Sequence, residues 1–179
     1  MYLVEIGKAV RERLLKVPGI YHVPANNLEM FVFRGFLTKE ECDGLIQRID
    51  FGRRPSNVLG PDPDPEFRTS ESCDLSRSDP LVEQVEARIT ELMGIDPRHG
   101  ETIQGQRYAV GQQFKPHHDF FYTDQPYWEE QRRCGGQRTW TAMVFLNQPE
   151  LGGHTFFQRA GVKIKPHTGN LLAWNNMNA

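Results

Sequence analysis

The second half of the chain alternates short β-like runs with turn residues, and this pattern limits the possible folds more than any other feature. The runs are rich in β-branched and aromatic residues and are separated by Gly, Pro and Asn. The predicted strands span about 101–110, 113–119, 138–147, 153–158, 161–166 and 170–174. Many short strands joined by turns indicate an antiparallel sandwich or barrel.

The first half is predicted to be mainly helical. Apolar residues recur at helical spacing in three segments, and the second segment begins with a capping box formed by Thr38 and Glu41. The predicted helices span about 3–17, 38–52 and 79–93, a predicted strand spans 28–36, and a proline-rich loop spans 53–67. We therefore expect one α+β domain over 1–179, with helical support and a loop in 1–100 and the β core in 101–179.

Charge and composition exclude several classes of protein. The 179 residues carry a formal net charge of −2, so no basic field attracts nucleic acid or anionic lipid. No apolar run approaches the roughly 18 residues that a membrane span needs. The cysteines, Cys42, Cys73 and Cys134, are odd in number and lack CxxC spacing, which argues against a disulfide scaffold and a zinc–thiolate site. Because the N-terminal stretch lacks a signal-peptide pattern, we expect a cytoplasmic protein with no membrane or nucleic-acid partner.

His117 and Asp119 have the spacing of a metal-ligand pair. In a strand, alternate side chains share a face, so these two would point the same way and His118 the other way. An imidazole and a carboxylate side by side provide two thirds of the facial triad that binds Fe(II) and leaves positions open. On spacing alone, a hydrogen-bonded His–Asp pair in a turn remains the alternative.

Four motifs together extend this pattern. RYAVGQQFKPHHDFF, GGQRTWTAMVFLN, LGGHTFF and GVKIKPHTGNLLAWNN follow one another in the β half. In order and spacing they resemble the prolyl 4-hydroxylases, and the resemblance covers roughly residues 28–179. It implies a double-stranded β-helix (jelly roll) with N-terminal supporting helices. It also implies hydroxylation of a proline in a peptide or protein with O₂, releasing succinate and CO₂, and dependence on Fe(II), 2-oxoglutarate and ascorbate.

The resemblance assigns roles to residues around the cofactors. His117 and Asp119 match the first two iron ligands of the family. Tyr108 and Thr155 match residues that hold 2-oxoglutarate. The far carboxylate of 2-oxoglutarate needs such partners because a buried charge without them is costly.

The resemblance also places residues near the peptide substrate. Arg138 matches an arginine that faces the peptide, and Phe114 stands where the family often has a tyrosine near the substrate proline. His154 replaces a family glutamate. Residues 53–67 resemble the loop that closes over the peptide, and 122–134 resemble a variable loop near the substrate groove.

The chain departs from the family near its C-terminus. In the family, the second iron histidine and the basic residue for 2-oxoglutarate lie beyond the strand that matches 169–174, and neither is present before Ala179. We expect either a truncated copy of a longer protein or a natural short form without activity, and the lack of a stop feature favours truncation. His167 precedes the expected position and is interpreted as a surface turn residue, while His154 is the less favoured compensating ligand.

Other functions stay open at this point. The same machinery also suits another side chain or a free amino acid. A catalytically inactive jelly-roll module would bind peptide or 2-oxoglutarate without turnover. A metal hydrolase or cupin-like enzyme would use His117, His118 and His154 with another metal.

Arg68 is expected either to position the loop or substrate, or to form a structural salt bridge.

Overall fold

The computed structural model describes residues 3–58 and 64–177. Within these residues the helices are α1 (Leu3–Leu14), α2 (Lys39–Gly52), α3 (Pro80–Met93) and α4 (Trp128–Cys134). The strands are β1 (Ile20–His22), β2 (Met30–Phe33), β3 (Arg54–Pro55), β4 (Glu71–Asp74), β5 (Gln104–Arg107), β6 (Trp140–Val144), β7 (Thr155–Phe157), β8 (Val162–Ile164) and β9 (Leu171–Asn175). None of the helices described here is both long and apolar enough to cross a membrane.

The strands form antiparallel sheets that join distant parts of the chain. The largest sheet has the order β1-β2-β9-β6, with Trp174 of β9 opposite Met30 on one side and Thr141 on the other. A second sheet has the order β3-β4-β5, and β7 pairs with β8. The predicted α+β class is therefore confirmed, since helices pack on antiparallel sheets.

Side-chain caps define the predicted helix boundaries. At the start of α2, the Thr38 hydroxyl accepts from the Glu41 backbone N–H, and the Glu41 carboxylate accepts from the Thr38 N–H at 2.8 Å. This is the predicted capping box. At α3, the Asp79 carboxylate accepts from two backbone N–H groups, and Gly94 ends the helix with φ of 66°. That left-handed conformation is where a glycine is favoured.

The second sheet packs closely on α2. Gly105 of β5 lies against Ile49, and a Cβ added at Gly105 would overlap the Cγ1 and Cδ1 atoms of that side chain. A side chain at this position would therefore separate β5 from the helix. This contact holds β5, the strand that leads into Tyr108, against α2.

The main core joins both halves of the chain. Leu14, Phe31, Leu45 and Leu171 are buried in one cluster with residues of α2, α3 and the largest sheet. Burying this apolar area is the main source of stability. A smaller cluster forms around Met30 and Leu172, with Trp174 packed against it.

Several predicted boundaries need correction. The first helix ends at Leu14 rather than Val17, because the chain tightens into i→i−3 hydrogen bonds before Pro18. The predicted loop 53–67 contains the short strand β3, and its residues 59–63 lie outside the described residues. The predicted loop 122–134 contains α4, whose first turn is acidic and last turn basic, as the helix dipole favours.

The predicted strand at 113–119 is the largest correction. Only Phe114 forms a bridge, with Arg68, and the Lys115 N–H donates to the Phe67 carbonyl. The pairing stops at Pro116 because proline has no N–H to donate. His117 and Asp119 therefore lie on irregular backbone just beyond a short paired segment.

Candidate active site

His117 and Asp119 come together although they do not lie on a regular strand. The Nε2 atom of His117 is 3.2 Å from Oδ1 of Asp119. The Nδ1–H of His117 donates to the Lys115 carbonyl at 2.8 Å, and a carbonyl only accepts. In the neutral ring, Nε2 therefore presents its lone pair toward the carboxylate. Two atoms that both carry lone pairs repel each other at this distance unless a metal ion or a proton lies between them.

Their pKa values reflect this pairing. Burial alone lowers the pKa of His117, but the hydrogen bonds to Asp119 and to the Lys115 carbonyl raise it above its ordinary value. Burial alone raises the pKa of Asp119, but the hydrogen bonds from His117 and Thr141 lower it below its ordinary value. The site therefore stabilises an anionic carboxylate facing a cation.

A line of polar side chains supports the carboxylate of Asp119. Its Oδ2 atom accepts from the Thr141 hydroxyl at 2.9 Å. The Thr141 oxygen in turn accepts from the Asn176 amide Nδ2 at 2.9 Å. Thr141 lies in β6 and Asn176 follows β9, so the central sheet positions both residues.

Aromatic rings cover the His117 imidazole. Phe114 stacks on it with ring centres 3.6 Å apart and planes at 16°, and Phe67 meets Phe114 edge-on at 5.7 Å. The guanidinium carbon of Arg68 lies 4.6 Å from the centre of the Phe114 ring. Phe114, predicted to lie near the substrate, thus also fixes the plane of a predicted ligand.

Arg68 is a half-buried cation with neutral hydrogen-bond partners. Its guanidinium donates to the Ser70 and Ser72 hydroxyls, to the Asn57 carbonyl and to the Gln104 side chain, at 3.1–3.2 Å. No carboxylate in the described part of the chain forms a salt bridge with it, so the salt-bridge alternative is wrong for these residues. Burial lowers the pKa of this guanidinium.

Arg138 and Gln137 hold the segment that follows the pair. Arg138 binds the Glu101 carboxylate through Nε and through Nη2, the latter at 2.7 Å, and its guanidinium carbon lies 4.3 Å from the Phe121 ring centre. The Gln137 amide accepts from the Phe121 N–H at 2.6 Å and donates to the Phe121 carbonyl at 2.8 Å. These bonds imitate a strand pairing, and they fix the backbone two residues after Asp119.

The predicted co-substrate residues lie on two different elements. The Tyr108 hydroxyl, just after β5, donates to the Gln106 side chain at 2.9 Å. Burial raises the pKa of Tyr108, while the Arg68 charge opposes that shift. Thr155 begins β7 opposite Ile164 and is half-buried. Their roles toward 2-oxoglutarate, like those of Arg138 and Phe114 toward a peptide, stay predictions.

The other histidines do not join the pair. His118 bonds the Tyr122 hydroxyl at 3.1 Å, His154 is exposed, and His167 bonds the Gln148 side chain at 3.0 Å. Residues 3–58 and 64–177 contain no group of three or more His, Cys, Asp or Glu side chains suited to a metal. The trio required by the hydrolase alternative is therefore not assembled. His117 and Asp119 fit two positions of a facial iron site, by donor type and by proximity.

A family model matches the part of the chain that contains the candidate site. The model of the 2OG-Fe(II) oxygenase superfamily matches residues 103–179, the region that contains Tyr108, the His117–Asp119 pair, Arg138 and Thr155. Over these residues the chain is similar to this superfamily. The resemblance inferred from the four motifs is confirmed.

Relatives of the chain share a common name. The chain is 38% identical over 135 residues to "Probable prolyl 4-hydroxylase 8" of Arabidopsis thaliana, covering 73% of this chain and 45% of the relative. It is 33% identical over 169 residues to "Probable prolyl 4-hydroxylase 10" of the same plant, covering 80% and 57%. The chain spans about half the length of these curated relatives.

A solved structure agrees with the sequence relatives. The chain resembles the viral collagen prolyl hydroxylase of Paramecium Bursaria Chlorella virus-1, solved as a 2OG complex, with a TM-score of 0.61 and 26% identity. The match covers 84% of this chain and 78% of the viral one. The helices and antiparallel sheets of this chain therefore resemble those of that hydroxylase.

Sequence reasoning did not identify Thr141, Asn176, Gln137 or Glu101 as residues of the site. Thr141 is the one residue with a hydroxyl group in the otherwise apolar segment WTAMVF, and this polar group was the available signal. The partners of the other three depend on contacts between distant segments. Spacing along the sequence does not encode such contacts.

Proposed function

We propose that the protein is a 2-oxoglutarate- and Fe(II)-dependent dioxygenase that hydroxylates a proline residue in a protein or peptide. The products are the hydroxylated peptide, succinate and CO₂, and ascorbate keeps the enzyme active. One observation carries the proposal: Nε2 of His117 and Oδ1 of Asp119 are 3.2 Å apart, with the other ring nitrogen already bonded. Similarity to the superfamily over residues 103–179 supports the cofactors, and the names of the relatives support the substrate class.

His117 and Asp119 would hold the metal. The Lys115 carbonyl keeps the proton of His117 on Nδ1, so Nε2 is free to bind. The carboxylate brings the negative charge that a divalent cation needs. When bound, Fe(II) and 2-oxoglutarate supply the oxidising chemistry that O₂ alone cannot direct at a C–H bond.

Two groups would bind and orient the co-substrate. The Tyr108 phenol is protonated at neutral pH, because its ordinary pKa of 10.0 lies well above 7, so it is a hydrogen-bond donor to a carboxylate. Thr155 adds a second hydroxyl at the start of β7. Both hydroxyls would orient the dicarboxylate without adding charge.

The surroundings of the pair suit a peptide. The Phe114 ring excludes water from one side of His117, and Arg68 beside it carries a positive charge that no described carboxylate neutralises. Peptide carbonyls are acceptors for such a donor. Arg138, held by Glu101 and the Phe121 ring, would line the same region. The antiparallel sheets would form the layers of a jelly roll.

The test is oxygen insertion into a defined peptide. The complete natural protein, Fe(II), 2-oxoglutarate and ascorbate would be incubated with a proline-rich peptide and with a copy in which alanine replaces each proline. Mass spectrometry should show the gain of one oxygen atom on the proline peptide only. Loss of this product in His117→Ala and Asp119→Ala, but not in His167→Ala, would assign the chemistry to the pair.

Other results would show whether the substrate or the dioxygenase activity was assigned wrongly. Oxygen gain on the alanine peptide would reject proline as the target and keep the dioxygenase. No oxygen gain on any peptide, with no consumption of 2-oxoglutarate, would reject the dioxygenase and favour a binding module.

A further inference from the structure

The two oxygens of Asp119 have different partners. Oδ1 faces Nε2 of His117 at 3.2 Å. Oδ2 accepts from the Thr141 hydroxyl at 2.9 Å. One oxygen is therefore held by the protein, and the other is directed to the position between the two predicted ligands.

The direction of the hydrogen bonds to Asp119 is fixed by chemistry. A hydroxyl has one proton, and an ionised carboxylate only accepts, so the Thr141 proton points to Asp119. The Thr141 oxygen must then accept from its other neighbour, which assigns the Asn176 atom at 2.9 Å as the amide nitrogen. The order is Asn176 to Thr141 to Asp119, with each group donating to the next.

The sheet holds both supporting residues in place. Thr141 lies in β6 opposite Trp174 of β9. The Asn176 backbone N–H donates to the Thr139 carbonyl at 2.9 Å, which continues the pairing beyond the strand end. Because the backbones of Thr141 and Asn176 are both paired, their side chains have little freedom to move away from the hydrogen bonds to Asp119 and to each other.

We propose that Thr141 and Asn176 are positioning residues, which hold Asp119 so that a single oxygen binds the metal. This inference rests on the proposed function, because it assumes that Asp119 is a ligand. Outer partners of this kind orient a ligand, and their loss lowers metal affinity by about 10- to 100-fold. Neither residue needs to touch the metal or the substrate.

The test measures binding of Mn(II) alone, by the electron paramagnetic resonance signal of the free ion, in the complete natural protein. Thr141→Val keeps the shape of the side chain but removes the donor, and it should weaken binding by about 10- to 100-fold. Thr141→Ser keeps the hydroxyl and should bind like wild type. Thermal unfolding of the metal-free variants controls for folding.

A double mutant tests whether Asn176 acts on metal binding through Thr141 or independently of it. Asn176→Ala should weaken Mn(II) binding in the wild-type background but add little in Thr141→Val, because the line is already broken. Additive losses, or equal affinities of Thr141→Val and wild type, would overturn the proposal. So would a Thr141→Ser variant as weak as Thr141→Val.

The wild-type measurement distinguishes failure of the inference from failure of the proposed function. Mn(II) binding that depends on His117 and Asp119 but not on Thr141 would reject only the positioning role. A wild-type protein whose Mn(II) binding does not change in His117→Ala and Asp119→Ala would reject the metal site, and the positioning role with it.

Discussion

At the scale of single residues, the His117 ring is fixed by three neighbours. The Lys115 carbonyl binds Nδ1, Asp119 faces Nε2, and the Phe114 ring stacks on its face. A metal ligand held in this way loses little freedom when it binds, because its orientation is already set. The plane and the tautomer of the ring are therefore part of the site.

Removal of the Phe114 ring should weaken metal binding. Without the stack the ring has to be ordered when the metal binds, which costs part of the about 0.5–1.5 kcal/mol that an aromatic pair contributes. Phe114→Leu should therefore lower Mn(II) affinity by up to roughly tenfold. Phe114→Tyr keeps the stack and should bind like wild type. Phe51→Ala, at a side chain with 96% of its surface exposed, is the matched control. Equal affinities of Phe114→Leu and wild type would show that the stack does not contribute.

The sequence identified some of these residues but not their contacts. His117 and Asp119 were predicted from spacing and resemblance, and they lie side by side. The stack of Phe114 on His117 was not predicted, because the backbone after Pro116 is irregular and strand periodicity does not apply to it. The hydrogen bonds of Thr141 to Asp119 and to Asn176 join residues that are far apart in sequence.

At the scale of the elements, local signals predicted the helices well. The capping box at Thr38 and the proline and glycine that bound α3 act within a few residues, so a single sequence carries them. The helix α4 was missed because it is short and lacks a side-chain cap at Tyr127. Strand limits were predicted less well, since pairing partners determine where a strand ends.

Because β5 and α2 are in close contact, we expect a side chain added at Gly105 to destabilise the protein. Gly105→Ala would place a Cβ in the space that two Ile49 side-chain atoms occupy, and such overpacking costs about 1–3 kcal/mol. Urea unfolding should show this loss. Gly135→Ala is the control, because its Cβ would meet nothing closer than 4.0 Å.

A second substitution tests the cause of that loss. Ile49→Ala removes the side-chain atoms that the Cβ added by Gly105→Ala would meet. The double variant should therefore be more stable than the sum of the two single losses predicts. Strict additivity would show that the glycine is needed for another reason.

The start of α3 predicts a pH dependence of stability. The Asp79 carboxylate accepts hydrogen bonds from Arg48 and from two backbone N–H groups, which lowers its pKa below the ordinary 3.8. A lowered native pKa stabilises the folded state above the unfolded pKa, and this stabilisation is lost as pH falls through the native value. Asp79→Asn should therefore destabilise the protein at neutral pH, and this destabilisation should shrink as pH falls from 3.8 through the lower native pKa.

Urea unfolding of wild type and Asp79→Asn at neutral and at acid pH measures this difference. Asp124→Asn, in an exposed loop, should change little at either pH. A constant difference between Asp79→Asn and wild type across the range would contradict the argument.

At the scale of the whole molecule, the two halves of the sequence form one structure. Strands β1 and β2 from the first half complete the sheet of β9 and β6, and the main core draws residues from both halves. The sequence predicted helices followed by strands, but not that β2 would pair with β9. That pairing places the end of β9, and with it Asn176, beside Thr141 and Asp119.

The surroundings of the His117–Asp119 pair form only in the folded protein, because Thr141 and Asn176 reach Asp119 from distant strands. The most direct test is Fe(II)-dependent release of succinate from 2-oxoglutarate by the complete natural protein, with a proline-containing peptide present. We predict turnover by wild type and by His167→Ala, and background rates for His117→Ala and Asp119→Ala. Succinate release that persists in both ligand variants, or that is absent from the wild-type protein supplied with Fe(II), would contradict the proposed function.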